Sequence, residues 1–446
     1  MVITLLISVF VGVLSLLILV LRYKIPAFLA LLFACFAVGL LAGLPVVEIS
    51  NAIQKGVGNT LGFVAVIVGL GALLGGFLEA TGGAQLLAQR CIARLGEQKA
   101  SWGLLLAGFF IAIPVFFDVA FIILIPVVYS LQRTTKKSLV LVALPLLAGL
   151  AITHAFIPPT PGPVAVAEIL DAPLGWVIIF EFLVGLPTAV VSGIIYPKYI
   201  SSTLFVEAPA EVTTEKKESN PPKLRHVISI IAWPLFWIVS RTLLDSFEGD
   251  LSLPAPVQMV FQLLGHPFGA LLSANFLAWI IYRTQYHIDK KQLLVISNQS
   301  LKPIGLILLL TGAGGAFKQL LIDTHIGDAI SKLIHSNGIS VLLFAFVIAA
   351  LVRLIQGSAT VAMITAAGLT APLLDAAISE PTKALLVIAI ASGASIFSHV
   401  NDSGFWLVSK YLNLNEKDTL RSWSLMTLLI ALCGFLVVGF LSLWVV

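Results

Sequence analysis

"SSTLFVEAPAEVTTEKKESNPPKLRH", residues 201–226, is the one long polar stretch in an otherwise apolar chain. Its Pro, Glu, Lys and Ser content makes a flexible linker. It divides the sequence into 1–200 and 227–446. On both sides of it apolar segments of about 20 residues recur, each long enough to cross a bilayer as a helix. Of the 446 residues 59% are hydrophobic and 11% charged, with mean hydropathy +1.04. A soluble domain carries about 25% charged residues, so most of this chain has lipid or protein, not water, as its surroundings. The composition predicts an all-α polytopic membrane protein. The first apolar segment has no basic n-region and no small-residue cleavage site, so it reads as a span and not a cleaved signal. Net charge is +4 without a basic block, which gives no reason to expect nucleic acid. Cys35, Cys91 and Cys433 lie far apart in or beside apolar segments and read as buried small residues.

The two halves resemble each other. "PAFLALLFACF" (26–36) answers "HPFGALLSANF" (266–276), and "FLEATGGAQLLA" (77–88) answers "LLIDTHIGDAIS" (320–331). "GLAITHAFIPPTPGP" (149–163) answers "GASIFSHVNDSGF" (393–405), with the offset staying between 240 and about 245. Shared order at a nearly constant offset indicates an internal duplication.

Spans are expected near 3–21, 26–44, 60–80, 139–158 and 175–197, with 103–131 as an in-and-out hairpin. The second half repeats this near 227–245, 258–282, 303–322, 384–400 and 423–445, with its hairpin at 341–374. If the loop "RYK" (22–24) faces the cytoplasm, twenty of the 26 Lys and Arg fall on that side. Only Lys55, Arg241, Lys332 and Lys383 fall opposite, while Lys318 and Arg353 lie in apolar surroundings. The positive-inside rule therefore favours periplasmic termini and a cytoplasmic linker. Five spans per half, an odd number, make the halves inverted repeats. Such repeats with re-entrant or broken elements build secondary transporters. No GxxxxGK[ST] motif suggests ATP-driven transport.

Intramembrane punctuation marks the site. "IAIPVFFDVAFIILIP" places Pro114 and Asp118 inside the first hairpin, where a carboxylate is costly and usually functional. Four prolines between Pro158 and Pro163 break the following helix, beside His154 and Thr160. "RLIQGSATVA" (353–362) is the tip of the second hairpin, and "SIFSHVNDSGFW" (395–406) the second break. Arg353 needs an anion at that depth: a protein carboxylate, Asp118 or Asp402, or a substrate carboxylate held by the guanidinium fork. Gln356, Ser358 and Thr360 suit hydroxyls, and Gly357 lets the backbone approach closely. His399, Asn401, Asp402 and Ser403 form a polar cluster, with His154 and His399 at equivalent places in the two repeats. Small residues at these breaks also serve plain helix packing. The glycine runs at 69–76 and 312–317 follow no strand and read as close helix packing, not nucleotide loops.

"GAGGAFKQLL" (312–321), "RLIQGSATVA", "SHVNDSGFW" (398–406) and "PAFLALL" (26–32) resemble the gluconate:proton symporter family of bacterial inner-membrane permeases. The resemblance covers essentially the whole chain. It implies uptake of a sugar acid, D-gluconate above all, with protons as the coupling ion and no other cofactor. An elevator-type transporter fold and a homo-oligomer follow by analogy. The family also serves other aldonates, uronates and D-serine. Its D-serine branch keeps the GSATVA core without the Arg and Gln present here, so the gluconate branch is the better match. Asp118, Asp402, His154 and His399 are the candidate proton carriers, with Glu79 and Glu168 behind them. A sodium-coupled carboxylate carrier is the alternative, and a zinc enzyme finds no HExxH or similar ligand spacing.

The topology is testable with cysteines placed singly at Ser219 and Ser246 after the native cysteines are replaced. An impermeant thiol reagent on intact cells should label the second and not the first; equal labelling contradicts the inverted repeat.

Overall fold

The computed structural model describes residues 2–209, 222–246, 254–324, 340–374 and 378–445. The middle of the linker, Lys216, Lys217 and Lys332, and the end of the second repeat match (325–331) lie outside the described residues. Every regular element described is a helix. At bilayer depth an apolar run must satisfy its backbone polar groups internally, and a helix does so.

In the first half α1 (Val2–Leu21) packs on α2 (Ala27–Leu41), followed by α3 (Val46–Ala80) and a short α4 (Gly83–Leu95). Next come α5 (Ala100–Ile111), α6 (Phe117–Thr135), α7 (Leu139–Phe156) and α8 (Pro161–Ile169). α9 (Leu174–Ser201) ends this half. The second half runs α10 (Leu224–Ser246), α11 (Ala255–Gly265), α12 (Pro267–Gln285), α13 (Lys290–Leu301) and α14 (Ile304–Asp323). It continues with α15 (Val341–Gln356), α16 (Ala359–Thr370), α17 (Glu380–Ala394) and α18 (Ser403–Tyr411). α19 (Glu416–Val445) is last. Among the described residues seven spans are long and apolar enough to cross a membrane, or eight counting the bent pair α11–α12. Large apolar side chains such as Phe10, Phe33, Phe276 and Leu436 stay exposed on the outside, as lipid contact requires.

Several expected spans change at their ends. The third begins at Val46, not near 60, because Ile49, Ala52, Gly56 and Thr60 bury one face of its polar first turns. The expected span 258–282 is bent by 80° between α11 and α12. His266 precedes a proline, is therefore extended, and caps α12 by accepting from the Phe268 amide at 3.2 Å. The span expected at 384–400 stops at Ala394, and the residues after it form a break. α15 and α16 pack on each other as a hairpin, whereas α5 and α6 pack chiefly on α7 and α4. The five residues between α5 and α6, Ala112–Phe116, include Pro114, whose carbonyl is wedged against Gly75 of α3.

The glycine runs do pack helices. α3 and α14 cross where a Cβ on Gly56 would meet the Gly315 carbonyl and the Ala316 backbone, and where Gly315 abuts Thr60. Farther along, Gly71 touches Pro159, and Gly314 touches Ile364 of α16. The broken elements thus rest directly on α3 and α14. Lys318, on α14, pairs with Asp171 just past α8 at 3.5 Å.

Gly56→Leu forces backbone apart at this crossing and should destabilise the fold by about 1–3 kcal/mol. The unfolding midpoint in detergent should drop, whereas Gly58→Leu, where a side chain meets open space, should leave it nearly unchanged.

Candidate functional site

A cavity of about 600 Å³ opens where the breaks meet. That is within the ~300–1,000 Å³ typical of small-molecule sites. Three helix N-termini reach its wall: Phe117 to Val119 of α6, Ser358 to Thr360 at the start of α16, and Ser403 with Gly404 of α18. Each brings the positive end of a helix dipole, an arrangement that favours an anion. Phe117 and Trp423, with ring centroids 5.6 Å apart, give it an aromatic side.

Arg353 occupies the last turn of α15 and is 6% exposed. Its Nη1 donates to the Gly357 carbonyl and its Nη2 forms an ion pair with Asp402 Oδ2. Nε, also buried, has no partner. Of the protein carboxylates that could answer Arg353, the structure places Asp402 there, while Asp118 is exposed on the cavity wall in the first turn of α6.

The second break is wired to α15. His399 Nε2 donates to the Leu354 carbonyl at 2.9 Å, and Asn401 Nδ2 donates to the same carbonyl at 3.1 Å. This is a carbonyl that the end of α15 would otherwise leave unmet. Asp402 caps α18 by accepting from the Gly404 amide at 3.1 Å, and its Oδ2 also accepts from Ser398. Ser398 Oγ in turn accepts from Trp423 Nε1 at 2.7 Å, and its amide donates to Thr427 Oγ1 at 2.9 Å. At Gly357 φ is +91°, and a Cβ would collide with the Asn401 backbone. Only glycine combines that left-handed turn with so close an approach. Ser358 then caps α16, accepting from Val361 N at 3.4 Å, and Gln356 Oε1 accepts from Ser358 N at 2.8 Å.

Of the residues singled out in the sequence, Arg353, Gln356, Gly357, Ser358, Thr360, Asn401, Asp402, Ser403, Asp118 and His154 line the cavity. Thr160 does not; it bonds the Ile157 carbonyl beside a small separate void against Gly71 and Pro114. His399 does not either, being turned onto α15. Glu79 and Glu168 lie off the cavity. Sequence reading missed Phe116, Phe117, Ser395, Trp423 and Thr427 on its wall. Ser395 lay inside a quoted motif, but Trp423 and Thr427 sit in a late apolar span with no local cue. Among the described residues no three His, Cys, Asp or Glu side chains gather as metal ligands would.

The family model for GntP family permeases matches residues 4–444. The gluconate permease of Pseudomonas aeruginosa is 36% identical over 444 residues, covering 98% of both chains. The chain belongs to the GntP permease family. The high-affinity gluconate transporter of Escherichia coli K12 is likewise 36% identical, over 96% of this chain and 97% of that one. In fold this GntP family member is similar to the YdaH transporter of Alcanivorax borkumensis. The TM-score is 0.62 at 16% identity, over 90% of each chain. The protein is thus a multi-pass membrane protein of a transporter family.

Breaking the buried pair from one side leaves an uncompensated carboxylate, which costs about 3–5 kcal/mol. Arg353→Gln should lower the yield of detergent-stable protein, and adding Asp402→Asn should restore most of it. A double variant as poor as the single would show that the pair does not set stability.

Proposed function

We propose that this permease carries a sugar-acid anion, D-gluconate first, across the bacterial inner membrane in symport with protons. The observation that carries this reading is Arg353, buried at the wall of a cavity that three helix N-termini face, with Nε unpartnered. Gluconate has one carboxylate and a row of hydroxyls. The guanidinium fork takes the carboxylate, and Gln356, Ser358, Thr360 and Ser403 serve the hydroxyls. The names of the relatives, gluconate permease and gluconate transporter, support that substrate class. Coupling requires a titratable group that senses occupancy, and Asp118, Asp402 and His154 border the cavity. His399, committed to the Leu354 carbonyl, falls behind them. Inverted halves, periplasmic termini and a homo-oligomer complete the proposal.

Purified protein in proteoliposomes tests it, with pH and sodium gradients imposed separately. Labelled gluconate should accumulate when the outside is acid and not when sodium alone is supplied; sodium-driven uptake would establish the carboxylate–sodium alternative. Arg353→Lys keeps the charge but loses the planar fork. Its gluconate binding should weaken by about 2–5 kcal/mol, roughly 30- to several-thousand-fold. Unchanged affinity would remove Arg353 from the carboxylate site.

A further inference from the structure

We propose that gluconate and a proton enter together because the substrate carboxylate takes Arg353 from Asp402, and Asp402 then takes up the coupling proton. This rests on the reading of the cavity as a gluconate site.

The geometry of one guanidinium carries the inference. A carboxylate that docks on it with two hydrogen bonds, outside the Nη1–Nη2 edge, uses Nε together with the adjacent Nη2. Nη1 is held by the Gly357 carbonyl, so the edge that retains an unpartnered donor is Nε–Nη2, and because Nε is itself buried the guanidinium must turn for a substrate to reach it. Nη2 is the atom Asp402 holds. Substrate and Asp402 therefore meet at the same nitrogen. Arg353 and Asp402 are both largely buried, with side chains 7% and 13% exposed. Two carboxylates on one desolvated guanidinium leave an uncancelled negative charge, and like charges at that separation do not both stay ionised.

The surroundings of Asp402 fit a carboxyl that changes state in place. Its Oδ1 accepts the Gly404 amide and holds the start of α18 whether the group is charged or neutral. Its Oδ2 faces both Arg353 and Ser398 Oγ. When Arg353 turns to the substrate, a proton from the aqueous side of the cavity binds Oδ2. The Ser398 hydroxyl then reverses and accepts from it, while still accepting from Trp423. One ion pair is exchanged for another, one proton is taken up, and the charge of the site is the same before and after. The other titratable groups on this wall are Asp118 from α6 and His154 from α7, neither of which contacts Arg353. His399 faces α15 through the Leu354 carbonyl.

The test is calorimetric titration of the purified full-length protein with gluconate, in buffers of different ionisation enthalpy, which counts protons taken up per ligand bound. About one proton per gluconate is expected, so affinity should fall about tenfold per pH unit as pH rises. Asp402→Asn, whose amide oxygen can still cap α18, should bind gluconate with no proton uptake and an affinity independent of pH. Wild-type binding without proton uptake overturns the proposal and leaves the substrate reading intact. So does proton uptake that persists in Asp402→Asn but vanishes in Asp118→Asn or His154→Gln. Absence of gluconate binding by the wild-type protein overturns both.

Discussion

A helix interrupted at bilayer depth leaves backbone amides and carbonyls that no water can satisfy, and the architecture of this permease is organised around meeting that demand. α15 ends at Gln356 and α17 ends at Ala394. The chain that follows α17 supplies the missing partners: His399 and Asn401 to the Leu354 carbonyl, Asp402 to the Gly404 amide. Arg353 closes the circuit by donating to its own turn and to Asp402. Several of the residues that make the break tolerable, Arg353, Asn401 and Asp402, also line the cavity. A single desolvated network thus closes the break and borders the cavity, so the effects of substituting its members should not be additive.

Much of the fold was legible because lipid imposes simple rules. Runs of apolar residues gave the helices, prolines at 158–163 gave one break, and glycine with serine at 357–358 gave another. What escaped was where tertiary contact extends or bends a helix. The first turns of α3 look polar in sequence, yet burying Ile49, Ala52 and Gly56 continues the helix outward. The 80° bend at His266–Pro267 falls within a stretch apolar enough on both sides to read as one span. Whether a helix pair closes as a hairpin is likewise decided by neighbours: α5 and α6 find better partners in α7 and α4 than in each other.

The site was legible to the extent that charge in an apolar run is conspicuous. Arg353, Asp402 and Asp118 announced themselves by cost alone. Equivalence between repeats was a poorer guide, since His154 lines the cavity while its counterpart His399 fastens a helix end. Thr160 sits at the proline break, but that break rests on Gly71 of α3 and not on the cavity. Trp423 was invisible because its role depends on α19 passing behind Ser398, which no local spacing encodes.

The uneven contribution of the two halves has a bearing on engineering. Most polar groups on the cavity wall come from two short stretches, 353–360 and 395–404, whereas the first half offers chiefly Phe116 to Val119 and His154. Combinatorial libraries for altered selectivity can therefore be confined to a pair of oligonucleotides. Within them Gly357, Asp402 and Ser398 are best held constant, because they bind the scaffold to itself, while Gln356, Thr360, Ser395 and Ser403 are free of such ties to distant backbone. Randomising those four varies the polar surface of the cavity and leaves the fold's own circuit closed.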